Sequence, residues 1–274
     1  MRFGDRDEVV GTLGKPPRVS GVKGVNSRSV FHPEDFVFCL RSLSIFFIDG
    51  DRRITALSDV SIDVPSGSVV GILGESGSGK STMLNILGGF MKPDRGQLTF
   101  YDPVGGHHIA LQYDDPAFMR SYWNSRIGCV WQHLNLVSCD TVIQNVCIPL
   151  EMRGLDRANM REQSAGLLKT LGIEKLADRY PRTLSGGEKQ RVAVARALAA
   201  NAQVILADEP TGNLDRENTT RVFELLVEVN QTRKVSVIVV THDERNAAQY
   251  CNHLFLCSKT NNGNVVRKVQ SKGR

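Results

Sequence analysis

Residues Gly74, Glu75, Ser76, Gly77, Ser78, Gly79, Lys80 and Ser81 follow the pattern G-x-x-x-x-G-K-[ST], after an apolar strand-like run and at the opening of a helical one. The chemistry of such a run is anion binding. Its glycines permit backbone conformations in which successive N–H groups face a phosphate, and the new helix adds its positive N-terminal end. Lys80 would reach the β and γ phosphates of a nucleotide, and the Ser81 hydroxyl would ligate Mg²⁺. Chance produces the pattern in about one chain of this length in a hundred.

Two further runs carry chemistry. The apolar stretch Val204 to Ala207 ends in Asp208 and Glu209, which puts adjacent carboxylates at the strand end where α/β sheets bind ligands. Asp208 suits a metal held through its water shell, and Glu209 suits a general base that polarises an attacking water. The run Leu184-Ser185-Gly186-Gly187-Glu188-Lys189-Gln190-Arg191 opens a second helix on a Ser-Gly-Gly turn, another anion-ready N-terminus. One nucleotide does not need two such cradles on one subunit.

These sites need elements to carry them. From Phe36 the chain shows short β-type runs, FVFCLRSLSIFF, ALSDVSIDV and SVVGILG, which feed the phosphate loop. A helix is predicted over 81–91 with Met83, Leu84, Ile86 and Leu87 apolar, stopped by Pro93-Asp94, and a strand over 96–100. The stretch 101–126 reads as a surface loop with one short helix. Then follow a strand at 127–131, helical patterns from 141 to 178, a helix at 187–200, a buried strand at 203–207, a helix at 216–230, a strand at 235–241 and a helix at 244–250. That alternation implies a mainly parallel sheet covered on both faces.

The Leu184 to Arg191 run, taken with the phosphate loop, resembles the signature of the nucleotide-binding domains of ATP-binding cassette (ABC) proteins. Further residues keep that family's order: Gln132 after the strand at 127–131, Asn213-Leu214-Asp215 after Glu209-Pro210-Thr211-Gly212, and His242 after the strand at 235–241. The resemblance implies an α/β P-loop NTPase of ABC type, with a RecA-like mixed sheet core, an antiparallel β subdomain and an α-helical signature subdomain at about 133–190. It implies ATP and Mg²⁺ as cofactors, with Gly74 through Ser81 and Thr82 holding the nucleotide and Ser81, Gln132 and Asp208 serving the metal. Glu209, Gln132 and His242 would be the catalytic set. Ser185, Gly186, Gly187 and Asp215 would act across the interface of a head-to-tail dimer with a second copy of the same or a similar ATPase subunit. The family stacks an aromatic residue on adenine from the strand before the loop; Phe46-Phe47 lies there, with Phe47 at the better offset, and strand alternation sends only one of the pair toward the ligand.

The resemblance covers about residues 37–258. Residues 1–36 mix Gly, Pro, Ser and Arg without periodicity and read as an extension, either disordered or draped over a partner. Residues 259–274 read as a basic tail carrying Lys259, Arg267, Lys268, Lys272 and Arg274. Across the 274 residues, 41% hydrophobic and 23% charged residues are those of an ordinary globular chain, and a formal charge of +5 excludes the dense positive field of a dedicated nucleic-acid binder. No apolar run reaches the 18 residues of a membrane span, and the first residues lack the layout of a secretory signal. Six cysteines, with no C-x-x-C pair, favour reduced core thiols.

The run Leu206 to Asp215, with Leu87-Gly-Gly-Phe90 and Asp140 to Val146, looks like the bacterial lipoprotein-releasing, macrolide-efflux and cell-division branch. That branch implies a motor subunit at the cytoplasmic face of the inner membrane, driving a separate transmembrane permease. Alternatives are a regulatory ATPase that activates an envelope process without transport, and a soluble ABC ATPase with no membrane partner.

Overall fold

Strand alternation from Phe36 onward builds the first of two sheets. The computed structural model describes residues 32–269, apart from 51 and 213. Strands β1 (Phe36–Asp49), β2 (Arg52–Pro65), β4 (Arg95–Asp102) and β5 (His107–Ala110) form an antiparallel sheet in the order β2-β1-β4-β5. Phe38, Leu40, Leu43 and Ile45 of β1 point inward with Leu57, Val60 and Val64 of β2. Every second residue on such strands faces the core, so the apolar alternation fixes the register.

The second sheet has six strands in the order β10-β9-β3-β8-β7-β6. Strands β3 (Val69–Gly74), β6 (Ile127–Val130), β7 (Val204–Asp208), β8 (Ser236–Val240) and β9 (His253–Thr260) run parallel, and β10 (Gly263–Val269) pairs antiparallel with β9. All five residues of β8 are buried, as expected of a central parallel strand covered on both faces. Around it stand α1 (Lys80–Leu87), α2 (Pro116–Ser125), α6 (Arg216–Arg233) and α7 (Glu244–Tyr250).

Three helices form a further layer: α3 (Val142–Met152), α4 (Arg157–Thr170) and α5 (Gly186–Ala199). Thr141 and Gln144 make a reciprocal capping box at the start of α3, and Asp156 accepts the Ala158 and Asn159 N–H groups at the start of α4. Val142, Val146, Leu150, Leu167, Leu168 and Val192 join them in one core.

The structure corrects several expectations. The stretch 101–126 is a hairpin and a helix rather than a surface loop with one helix. Asp102 accepts the N–H groups of Val104 and Gly105, and Gly106 at φ +66° completes the turn into β5. Arg126 then closes the segment on Asp102 at 2.9 Å. The helix after the phosphate loop stops at Leu87, four residues before the expected end, because Gly88-Gly89 terminates it and Gly89 takes φ +70°.

The basic tail beginning at 259 is a strand for much of its length. Asn261-Asn262-Gly263 turns the chain, and Asn264 and Val266 are buried. Lys259, Arg267 and Lys268 therefore sit on a sheet-edge hairpin, which continues the six-stranded sheet through Val269. Lys272, Arg274 and residues 1–31 of the extension lie outside the described residues. Cys251 and Cys257 are buried, which pushes their thiols up to about 12 and about 11, whereas Cys139 is exposed.

Candidate functional site

Strand order assembles the site. The phosphate loop follows β3, His242 follows β8, Asp208 and Glu209 end β7, and Gln132 follows β6. Because these strands lie side by side as β3-β8-β7-β6, four segments distant in sequence meet along one carboxyl edge. A cavity of about 460 Å³ opens there, lined by Ser76, Lys80, Ser81, Gln132, Glu209 and His242, among others.

The loop itself depends on glycine at its ends. Gly79 caps α1 at φ +91°, and a Cβ there would stand 2.8 Å from the Ala56 carbonyl oxygen and 2.9 Å from Leu57 Cδ2. At Gly74, φ +151°, a Cβ would approach the Cys257 carbonyl oxygen to 2.5 Å. Lys80 is buried under the loop, donating through Nζ to Gly74 O at 2.8 Å and Glu75 O at 2.9 Å. Its ammonium thus spans the curl of the backbone whose N–H groups would face phosphate.

Ser81 Oγ donates to Asp208 Oδ1 at 3.2 Å. Burial pushes the Asp208 carboxyl above its ordinary range, the Ser81 hydroxyl draws it back, and the neighbouring Glu209 charge adds to the rise. A half-buried carboxylate in this position gains from a cation. Among the described residues no three His, Cys, Asp or Glu side chains converge as a metal cage. One carboxylate, one hydroxyl and the Gln132 amide oxygen are instead the sparse, hard-oxygen set with which Mg²⁺ is held beside substrate phosphates. The residues present therefore fit ATP with Mg²⁺.

Glu209 takes φ +44°, rare for a residue with a side chain, and its N–H is fastened to Val240 O at 2.9 Å. This conformation departs from the strand and turns the carboxylate toward the cavity, where Oε2 meets His242 Nδ1 at 2.8 Å. His242 is largely exposed and Glu209 largely covered, so the imidazole lies on the solvent side of the acid. Backbone strain retained at one carboxylate beside a phosphate loop is a pattern that clusters at functional sites.

Not every expected residue reaches this cavity. Ser185, Gly187 and Glu188 line a separate cleft of about 150 Å³ with Arg191 and Asn218, so this chain does not bring its own signature turn to its own phosphate loop. Gly186 lies on the same turn, at the first residue of α5. Asp215 caps α6 by accepting the Asn218 N–H at 2.8 Å, which holds its carboxyl below the usual range; Asn213 lies outside the described residues. Phe47 is partly exposed and does not line the cavity. Phe46, on the opposite face of β1, is covered by the Arg53 guanidinium 3.5 Å from its ring centroid. That cation–π contact covers a face of the Phe46 ring.

Other residues act on the site without a motif to announce them. Arg196 of α5 donates to Leu134 O and Asn135 O, two residues with positive φ just beyond Gln132, and so ties the signature helix to that loop. Asn264 of β10 is buried and donates to Ala56 O at 2.9 Å and Gly77 O at 3.2 Å. Its amide props the middle of the phosphate loop from behind. Asn264→Ala leaves the Ala56 carbonyl without this donor, a loss of about 1–3 kcal/mol, and is expected to lower the unfolding temperature and weaken nucleotide binding severalfold. Unchanged values in thermal unfolding and a fluorescent-nucleotide titration would refute that support.

The model of the family described as ABC transporter matches residues 57–212. A methionine import ATP-binding protein of Acinetobacter baylyi is 33% identical over 84% of this chain and 62% of its own length. A second, from Enterococcus faecalis, is 38% identical over 78% of this chain and 60% of its own. The chain thus spans less than two thirds of these curated relatives. Among solved structures, the dimer of MJ0796, a bacterial ABC transporter cassette, superposes with a TM-score of 0.73 at 33% identity, covering 86% of this chain and all of the other. A post-hydrolysis dimer of that cassette, bound to ADP and Pi, matches equally well.

Proposed function

Since the chain belongs to the ABC transporter family, we propose that it is the ATP-binding and ATP-hydrolysing motor subunit of a transporter, pairing with a second copy and driving a separate transmembrane permease. The observation that carries this reading is the split of the machinery. Lys80, Ser81, Asp208, Glu209, Gln132 and His242 surround one cavity or its edge, while the anion-ready turn at Ser185 faces a different cleft. A second subunit, facing the first head to tail, supplies the missing turn.

Within that arrangement Lys80 binds β and γ phosphate oxygens and the loop N–H groups orient them. Ser81 and Asp208, with Gln132, would hold Mg²⁺, which when bound neutralises charge building on the phosphates. Glu209 draws a proton from the attacking water, and His242 Nδ1–H orients the Glu209 carboxylate from the solvent side. Closing the second subunit over this site excludes bulk water from it.

A permease contact is supported by an aromatic shelf beside Gln132. Phe90 stacks on Trp123 at 5.9 Å and meets Trp131 at 5.4 Å, and the groove of about 320 Å³ beneath them continues to Ile148, Pro149 and Met152. Among the described residues no helix is long and apolar enough to cross a membrane. The reading therefore puts the chain at the cytoplasmic face of a bacterial inner membrane, held there by the permease through this groove.

For the direction of transport, the relatives described as methionine import proteins favour an importer. The lipoprotein-releasing, macrolide-efflux and cell-division branch remains the second reading, favoured by the run Leu206 to Asp215. Ser185→Arg is expected to spare ATP binding while abolishing ATP-dependent dimerisation and turnover; wild-type ATPase would refute the shared site. Co-purification with a membrane subunit, then ATPase assays in proteoliposomes with and without methionine, separates the two transport readings.

A further inference from the structure

The first turn of α5 carries a carboxylate beside its anion-ready Ser-Gly-Gly turn. Glu188 Oε2 accepts the Ser185 N–H at 2.7 Å and the Ser185 hydroxyl at 2.8 Å, while Ser185 Oγ accepts the Glu188 N–H at 3.3 Å. The capping box is thus closed in both directions. A serine hydroxyl has one proton to donate, and here it is given to Glu188. The Ser185 N–H and then its hydroxyl, with Arg179 adding a smaller pull, hold the Glu188 carboxyl below the usual carboxylate range, so it stays ionised at neutral pH. The side chain is part-exposed at the rim of the cleft lined by Ser185, Gly187 and Arg191.

Resting on the head-to-tail dimer proposed above, we infer that Glu188 is a brake on closure, a positioning residue that acts through Ser185. In the separated subunit its carboxylate holds the Ser185 proton. Closure over the partner's ATP needs that proton turned toward a γ-phosphate oxygen, and it brings the Glu188 charge toward a highly charged anion. Both effects favour the open state. They leave ATP binding to the single subunit untouched, because Glu188 does not line the phosphate-loop cavity. The helix N–H groups at Gly186 and Gly187, which have no acceptor within the helix, supply the attraction that closure exploits. The opposed carboxylate sets how much ATP-bound dimer accumulates before hydrolysis.

The experiment compares Glu188→Gln with its parent in a Glu209→Gln background, measuring the ATP-dependent monomer–dimer constant by sedimentation at about 50 mM and about 500 mM NaCl. Glutamine still accepts from the Ser185 N–H but carries no charge. A part-exposed charge of this kind is worth about two- to fivefold per site, and two sites per dimer give about four- to 25-fold tighter association at low salt. The gain should shrink at high salt, where the Debye length falls severalfold. A change in helix capping alone would not carry that salt dependence. Affinity for ATP in the monomer should match the parent. Dimerisation that is unchanged or weaker at low salt overturns the brake, as does a gain that is the same at both salts. A parent that fails to dimerise with ATP instead overturns the head-to-tail reading beneath it. Should Glu188→Gln fold poorly, Glu188→Ala removes the same charge and is read by the same criteria.

Discussion

Glu209→Gln is expected to bind ATP as tightly as the parent, accumulate as a dimer and turn over about 10²–10⁴-fold more slowly, the range that a positioned general base contributes. The substitution is almost isosteric. A glutamine oxygen can still accept the His242 Nδ1–H, now 2.8 Å from the carboxylate, so the turn at positive φ keeps its outward contact. Its lost charge is the variable tested. Removing it also relieves part of the upward push on the Asp208 carboxyl, whose larger cause, burial, remains. Asp208 therefore keeps its carboxylate and its Ser81 contact for a cation. Binding and closure are thereby separated from hydrolysis. Single-turnover phosphate release and sedimentation in ATP check the two halves together. Hydrolysis at the parent rate would remove Glu209 from the role of base, and an unimpaired monomer in saturating ATP would remove the dimer.

The second large effect concerns the loop. Lys80→Ala should raise the dissociation constant for ATP by about 10- to 100-fold, since hydrogen bonds from a charged donor are worth about 1.5–3 kcal/mol. Lys80 has two duties: it fastens Gly74 O and Glu75 O across the loop, and it must release or share them to reach phosphate. If its main duty were the fastening, Lys80→Ala would lower the unfolding temperature strongly and ATP affinity only in proportion. If phosphate contact dominates, affinity falls with little change in the unfolding temperature of the nucleotide-free protein. Calorimetry of ATP binding beside thermal unfolding separates these cases, and undiminished affinity would deny Lys80 any contact with the nucleotide.

The chemistry of the site was legible because it is local. The phosphate loop requires glycines at fixed offsets, an apolar strand must precede Asp208 and Glu209, and a Ser-Gly-Gly turn opens a helix whatever surrounds it. Such requirements lie within a few residues of chain and leave a readable pattern. The hairpin at 101–110 was missed although Asp102 and Gly105-Gly106 carry its turn chemistry, since a strand as short as β5 shows too few alternations to register. The basic residues of 259–274 obscured β10, because charged side chains on the exposed face of an edge strand look like those of a solvated tail.

What the sequence by itself determined was the set of groups able to bind phosphate, hold a divalent cation and take a proton. It determined this because each group's reactivity depends on its residue type and on backbone conformations fixed by near neighbours. The tertiary structure alone decided which of them meet. Strand order β3-β8-β7-β6 joins Lys80, His242, Glu209 and Gln132 from positions up to 162 residues apart. The same fold holds Ser185 at another cleft, assigns Phe46 to Arg53, and brings Asn264 under Gly77. Each of these outcomes follows from how helices and crossovers order the strands, a long-range packing choice that no local pattern encodes.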